Sequence, residues 1–276
     1  MTDQPTVLLN DGHTIPQLGL GVWQAGQDVA VAAVRKALEV GYRHVDTAAV
    51  YGNEREVGEG MRASGVARGD IFLTTKLWND AQGHDNALRA FDASLERLGV
   101  DYVDLYLIHW PMPRLGTYVE TWKALIELKN SGRARSIGVS NFNAEHLERI
   151  IGETGVVPAL NQVELHPHFQ QRALRAFHAE HAIATQSWSP LGQGRLLADP
   201  AIAVVARKHG RTPAQTIIRW HLDNGLIAIP KSVTPARIEE NFAVFDFTLD
   251  AEDIAAIGAL DSAQGRIGSD PLTAHF

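Results

Sequence analysis

Apolar positions along this chain change their period in a regular alternation. Short runs of apolar, β-branched and aromatic residues, the pattern of buried strands, alternate with longer stretches in which apolar positions recur every three or four residues, the spacing of a helix face. The strand pattern occupies residues 20–23, 42–47, 72–77, 103–110, 136–140, 160–165, 185–189 and 227–231. Runs such as Leu105-Tyr106-Leu107-Ile108 are apolar without interruption, as strands covered on both faces of a parallel sheet are. A helix predicted over 28–40 stops at Gly41, the residue type favoured just past a helix end, and a second begins near Asn53. Segments 212–222 and 249–260 also read as helices, with Thr212 before Pro213 and Asp250 before Ala251 suited to cap them. Ahead of the alternation, Val7-Leu8-Leu9 and Thr14-Ile15-Pro16 flank Asn10-Asp11-Gly12-His13, and Asp-Gly supplies the positive φ angles of a hairpin turn. Eight strands separated by helices predict an α/β fold, a (β/α)8 or TIM barrel, with the hairpin closing its bottom and one or two helices beyond the basic count.

Length agrees with that prediction. A barrel of about 250 residues uses nearly all of the chain, and no low-complexity linker or repeat interrupts it, so residues 1–276 are read as one domain. A formal net charge of −7 argues against a nucleic-acid face, which requires clustered cations. The absence of cysteine excludes disulfides, thiolate metal sites and cysteine nucleophiles together. Residues 1–10 lack the basic and then apolar layout of a secretory signal, and no apolar run is long enough to span a bilayer. A cytoplasmic monomer without membrane or nucleic-acid partners is expected.

Candidate chemistry gathers at strand ends. His44-Val45-Asp46 ends in a carboxylate and is followed at once by Tyr51-Gly52-Asn53, while the next two strands end in Lys76 and His109. Asp46, Lys76 and His109 stand 30 and 33 residues apart, and a strand, a helix and two loops take about 30 residues. Three neighbouring parallel strands would therefore deliver these groups side by side. Such a set suggests tyrosine acid chemistry: Lys76 favours the phenolate of Tyr51 by its charge, Asp46 keeps the ammonium charged and fixed, and His109 donates a hydrogen bond to a carbonyl oxygen. Each residue alone has a structural reading, as helix cap, loop aromatic, solvated strand end or polar rim. Their common register on consecutive strands favours the chemical one.

At this point the sequence resembles the aldo-keto reductase family. The matching runs are Gly41-Tyr42-Arg43-His44-Val45-Asp46-Thr47-Ala48 with Tyr51-Gly52-Asn53-Glu54, then Thr74-Thr75-Lys76-Leu77-Trp78, then Asp101 through Pro111. Ile137-Gly138-Val139-Ser140-Asn141-Phe142, Asn161-Gln162-Val163-Glu164, Trp188-Ser189-Pro190-Leu191-Gly192 and Ile229-Pro230-Lys231-Ser232 follow. The resemblance implies NADPH-dependent reduction of aldehydes and ketones, with Tyr51 as general acid, Asp46 and Lys76 tuning it and His109 orienting the carbonyl. It implies that Ser140, Asn141 and Gln162 hold the nicotinamide carboxamide and that Trp188 stacks on the ring, with Ser189, Leu191 and Gly192 among the cofactor contacts.

Lys231 to Asn241 ends a strand and opens a helix, so backbone N–H groups and two cations converge where a phosphate could bind. Here residues and resemblance agree: Lys231, Ser232, Thr234 and Arg237 are expected to hold the adenosine 2′-phosphate, with Glu240 and Asn241 near the adenine and Val233 among the cofactor contacts. Thr234 stands where some relatives carry a further arginine. Two other readings compete, a cofactor-binding regulatory subunit, which the intact quartet disfavours, and a metal-dependent barrel hydrolase using His166 and His168. Those histidines lack a convincing further set of ligands and are read as loop residues. The loop 110–117 and the tail after Leu260 are short, so an open pocket rimmed by Trp23, Trp78 and Trp110 is expected. That compactness, with Pro190 to Gly194 and Leu165-His166-Pro167, resembles the bacterial branch that includes 2,5-diketo-D-gluconate reductases and implies small polar carbonyls or dicarbonyls, such as 2,5-diketo-D-gluconate or methylglyoxal, in preference to steroids.

Overall fold

The computed structural model describes residues 4–276. Each of the eight predicted strands forms, shorter than expected at several ends: β3 (Leu20–Gly21), β4 (His44–Asp46), β5 (Phe72–Leu77), β6 (Val103–Ile108), β7 (Ala134–Ser140), β8 (Leu160–Glu164), β9 (Ala184–Trp188) and β10 (Ile227–Ala228). They are parallel and pair in chain order. Bridges from Leu18 to Ala228 and from Gly21 to Lys231 join the first strand to the last, so the sheet closes. Gly21 is needed at this seam, because a Cβ there would stand 2.8 Å from the carbonyl oxygen of Ile229.

Alternate residues of each strand face opposite ways, and β6 shows the division. Tyr106 and Ile108 join the large apolar layer under the helices, whereas Leu105 and Leu107 pack with Leu9, Ile15, Leu160 and Ile227. Leu9 and Ile15 belong to the hairpin β1 (Thr6–Leu8) and β2 (Thr14–Pro16), which thus plugs the floor of the barrel as the sequence predicts. Moving up the same inward positions, apolar gives way to polar: Leu105 and Leu107 lead to His109, and Leu160 leads to Gln162. His44 and Asp46 on β4, and Thr74 and Lys76 on β5, share that register.

Helices follow the strands as α1 (Gln27–Val40), α2 (Glu54–Ala63), α3 (His84–Leu98), α4 (Tyr118–Asn130), α5 (Ala144–Thr154) and α6 (Arg172–Glu180). The two helices beyond the count are explained by the last two crossovers. α7 (Pro200–His209) and α8 (Pro213–Asp223) both separate β9 from β10, and α9 (Pro235–Phe242) is followed by α10 (Ala251–Gly258). Thr212 and Asp250 cap α8 and α10 through their side chains, each in a reciprocal capping box. No helix among the described residues is long and apolar enough to cross a membrane.

Candidate active site

Asp46 closes β4, Lys76 lies on β5, and His109 follows β6 while still on the ladder, its N–H donating to the Leu77 carbonyl at 3.2 Å. Tyr51 is brought to them by a short turn, Ala49–Tyr51, ended by Gly52 in the left-handed conformation at φ 66°. Two neighbours in the sequence fasten that turn. Asn53 accepts from the Thr47 hydroxyl at 2.8 Å and donates to the carbonyls of Val22 and Ala25, while buried Glu54 accepts from the Thr75 hydroxyl and pairs with Arg97. Tyr51 is therefore tied both to the seam and to the strand that carries Lys76.

The four side chains meet at the mouth. The Lys76 ammonium donates to Asp46 Oδ1 at 2.5 Å, to the Thr47 carbonyl at 2.9 Å and to the Tyr51 hydroxyl at 3.5 Å. The Tyr51 and His109 rings lie edge to face with centroids 5.7 Å apart. Burial would lower the Lys76 pKa, yet the Asp46 carboxylate and the Tyr51 oxygen together raise it, so the lysine remains a cation. Burial drives His109 well below the ordinary range, helped by the nearby Lys76 charge, so its imidazole is neutral. For Tyr51 the net direction differs from the sequence expectation of a lowered value. Burial raises the phenol more than Lys76 lowers it. The phenol thus keeps its proton at neutral pH, and the ammonium stabilises the phenolate left when that proton is given away.

A second layer of polar groups supports the first. Gln162 donates to Asp46 Oδ2 at 2.7 Å and to the side-chain Oε1 of Gln186 at 2.6 Å. Asn141 donates to the His109 carbonyl at 2.9 Å and accepts from the Trp188 indole N–H at 2.8 Å. Ser140 is fully buried and donates to the Gln162 carbonyl. Asn141 and Ser189 hold positive φ angles, 62° and 48°, a conformation that costs roughly 1–3 kcal/mol for a non-glycine residue and is typical of ligand clamps. Gln186 was not singled out by sequence; its place one strand from Gln162, at the same level, is what brings it in.

A cavity of about 470 Å³ opens over this network, walled by Asp46, Tyr51, His109, Asn141, Gln162 and Trp188. Ser189 and Lys231 line it, and so do Trp23, Trp78 and Trp110, the rim expected from sequence. Leu191 and Gly192 do not: Leu191 packs on the core and a Cβ at Gly192 would meet Leu196 at 2.7 Å. Beyond Lys231, Thr234 precedes α9 and Arg237 is exposed in its first turn. Ser232 and Asn241 are buried, and Val233 packs against the core. Glu240 accepts from the Thr212 hydroxyl at 2.7 Å, which ties α9 to α8. His166 and His168 turn to separate partners, Glu164 and Asp199, and no cluster of three or more metal-ligating side chains occurs among the described residues.

The expectation of an open pocket fails at the tail. After α10 the chain folds back over the mouth, where Gly268, Ser269 and Phe276 join the cavity wall. Phe276 lies against Trp78 and Trp110 at centroid distances of 5.6 and 5.1 Å. Backbone amides make much of this docking, which a residue pattern does not reveal.

Residues 17–262 match the model of the aldo/keto reductase family. The chain belongs to that family. An aldo/keto reductase of Mycolicibacterium smegmatis is 58% identical over 272 residues, 99% of this chain and 98% of its own. The methylglyoxal reductase DkgA of Yersinia pestis is 56% identical over 273 residues, 98% of each chain. Among solved structures, a mutant of Gox0644 in complex with NADPH superposes with a TM-score of 0.96 at 58% identity, covering 99% of this chain and 100% of that one. As an aldo/keto reductase the chain is an oxidoreductase, and its polar barrel mouth is where carbonyl chemistry would take place. Asn141, Trp188, Ser189 and Lys231 share one wall of the cavity, and Lys231 leads in sequence to α9.

Proposed function

We propose that this aldo/keto reductase reduces small polar aldehydes and α-dicarbonyls with NADPH, Tyr51 giving its proton to the carbonyl oxygen. The observation that carries this reading is the buried ammonium of Lys76, held by Asp46 at 2.5 Å and reaching the Tyr51 hydroxyl at 3.5 Å. When bound, NADPH supplies the hydride for the carbonyl carbon. Neutral His109 orients the carbonyl oxygen by a hydrogen bond, and Tyr51 protonates it, so one hydride and one proton complete the alcohol. Lys76 stabilises the tyrosinate until solvent restores its proton.

Gln162, Asn141 and Ser140 would hold the carboxamide end of the cofactor, with Trp188 and Ser189 beside it. Lys231, Ser232, Thr234 and Arg237 would take the 2′-phosphate. One cavity of about 470 Å³ must take both the nicotinamide and the substrate, which leaves room for a small carbonyl under the tryptophan rim. The methylglyoxal reductase among the relatives supports that substrate class. We propose a monomer that works in the cytoplasm.

Tyr51→Phe tests the reading, because it removes the acidic proton and keeps the ring. Carbonyl reduction should fall by about 10²–10⁴-fold, the usual worth of general acid catalysis, with NADPH binding retained. A single-turnover rate within about threefold of the parent enzyme would remove Tyr51 from this role. Comparing kcat/KM for methylglyoxal, diketo sugars, aromatic aldehydes and steroid ketones tests the substrate class, and a steroid preference would contradict it.

A further inference from the structure

Glu164 ends β8 at the barrel mouth, yet it faces neither the cavity nor solvent: it is 1% exposed. Its two carboxylate oxygens accept from consecutive backbone amides of the tail, Ile267 N–H at 2.5 Å on Oε1 and Gly268 N–H at 2.8 Å on Oε2. His166 Nε2 stands 3.1 Å from Oε1, completing three donors around one carboxylate. Burial alone would raise the Glu164 pKa, but these hydrogen bonds outweigh it and hold the carboxyl below its ordinary value, so the group is an anion at neutral pH. A buried carboxylate that meets two successive N–H groups is a clamp of unusual strength, since hydrogen bonds to a charged acceptor are about twice as strong as neutral ones.

What the clamp holds is the wall of the pocket. Just before it, Ser262 N–H donates to the His168 carbonyl at 3.1 Å and the Arg266 guanidinium lies 4.7 Å from the Phe169 ring, so the tail runs along the loop that follows β8. Just after it, Gly268 sits on the benzo edge of Trp188: a Cβ there would stand 2.5 Å from Cη2 of the indole and 3.0 Å from Oε2 of Glu164. The Trp188 ring is thus fixed at one end by Asn141 and pressed at the other by the clamped tail. Further on, Ala274 packs with Trp110 and Met112, and Phe276 closes on Trp78 and Trp110.

We propose that Glu164 is a positioning residue for substrate, acting through the tail: its carboxylate clamps Ile267 and Gly268 so that Phe276 and Ser269 complete the substrate wall. This rests on the carbonyl-reductase reading of the same cavity. Glu164 touches no reacting atom, so its removal acts on the fraction of molecules whose wall is closed, and apparent substrate affinity falls with that fraction. Trp188 keeps its tie to Asn141, so the effect falls on the substrate wall first.

Glu164→Gln keeps the shape and one acceptor but loses the charge. It should raise KM for the carbonyl by about threefold to tenfold, the net worth of one ordinary hydrogen bond, while kcat changes by less than about twofold. Hydrogen exchange should quicken at the amides of Ile267 and Gly268. Gly268→Ala reaches the unclamped state from the other side by steric collision with Trp188 and the carboxylate, and should raise KM and speed exchange in the tail. A double-mutant cycle completes the test: in a chain truncated before Ile267, Glu164→Gln should have no further effect on KM. An unchanged KM in a folded Glu164→Gln protein, or an equal effect in the truncated chain, overturns the inference. Absence of carbonyl reduction in the parent enzyme overturns the functional reading instead, and hydrogen exchange still tests the clamp.

Discussion

Replacing Lys76 by Met probes the centre of the site with the least change in volume. Its ammonium lies 3.5 Å from the Tyr51 oxygen, and a full phenolate at that distance is favoured by about 5 kcal/mol at an effective dielectric constant of about 20. If the proton is half transferred in the transition state, about half of that is lost, so kcat should fall by about 50-fold, rising toward about 3000-fold for complete transfer. The variant also strands Asp46, whose partner at 2.5 Å disappears. Burial already pushes that carboxyl upward, so Asp46 takes up a proton in the variant and stability suffers less than an unpaired buried anion would demand. The assay is kcat at saturating NADPH, with a deuterated cofactor to establish that hydride transfer limits the rate, alongside a urea melt. Adding Asp46→Asn should restore part of the stability and none of the rate. A folded Lys76→Met protein with kcat within about threefold of the parent would show that the lysine does not tune the tyrosine.

Arg237→Ala should weaken NADPH by about 1.5–3 kcal/mol and NADH hardly at all, since only NADPH offers the extra phosphate; equal losses in fluorescence titration would place the phosphate elsewhere. Acid should destabilise the fold early, because burial pushes His44 down to about 3 and His178 and His221 down to about 4, below an ordinary 6.5. The unfolded chain then binds protons that the folded one refuses, so stability is full above pH 6.5 and is lost as pH falls toward those values, by about 1.4 kcal/mol per pH unit for each histidine. Urea melts at pH 7, 6 and 5 measure the slope, and equal stability at all three would refute it. Light scattering should give the monomer mass of 30.2 kDa, and a stable dimer would contradict the monomer reading.

Strands were legible because a strand buried on both faces must be apolar along its length, and Leu105 to Ile108 has no other use for such a run. The quartet was legible through register: Asp46, Lys76 and His109 each lie at or next to the end of a strand, and closure of the barrel does the rest. The sign of the Tyr51 shift was not, since it depends on how deeply the phenol is buried, a property of the whole fold rather than of Lys76. Nor was the tail. Ile267 and Gly268 dock through backbone amides that every residue but proline possesses, and the signal lay instead in Glu164, a carboxylate at a strand end for which the expected chemistry had no task. Leu191 and Gly192 follow Trp188 in sequence but lie outside the cavity, where a short turn, Gly192–Gly194, redirects the chain.

The two strands that close the barrel are its shortest, two residues each, and one of their few ties is the bridge between Gly21 and Lys231. That makes the seam the place where the cylinder would first unzip, and Lys231 belongs at once to the seam and to the cofactor row. A dinucleotide bound as proposed would work as a staple across the joint. Occupancy would then stiffen the whole cylinder, adding RT ln(1 + [L]/Kd) to its resistance to unfolding. The loaded enzyme would then be a tougher object than the empty one, and the supply of cofactor would act on its persistence as well as on its turnover.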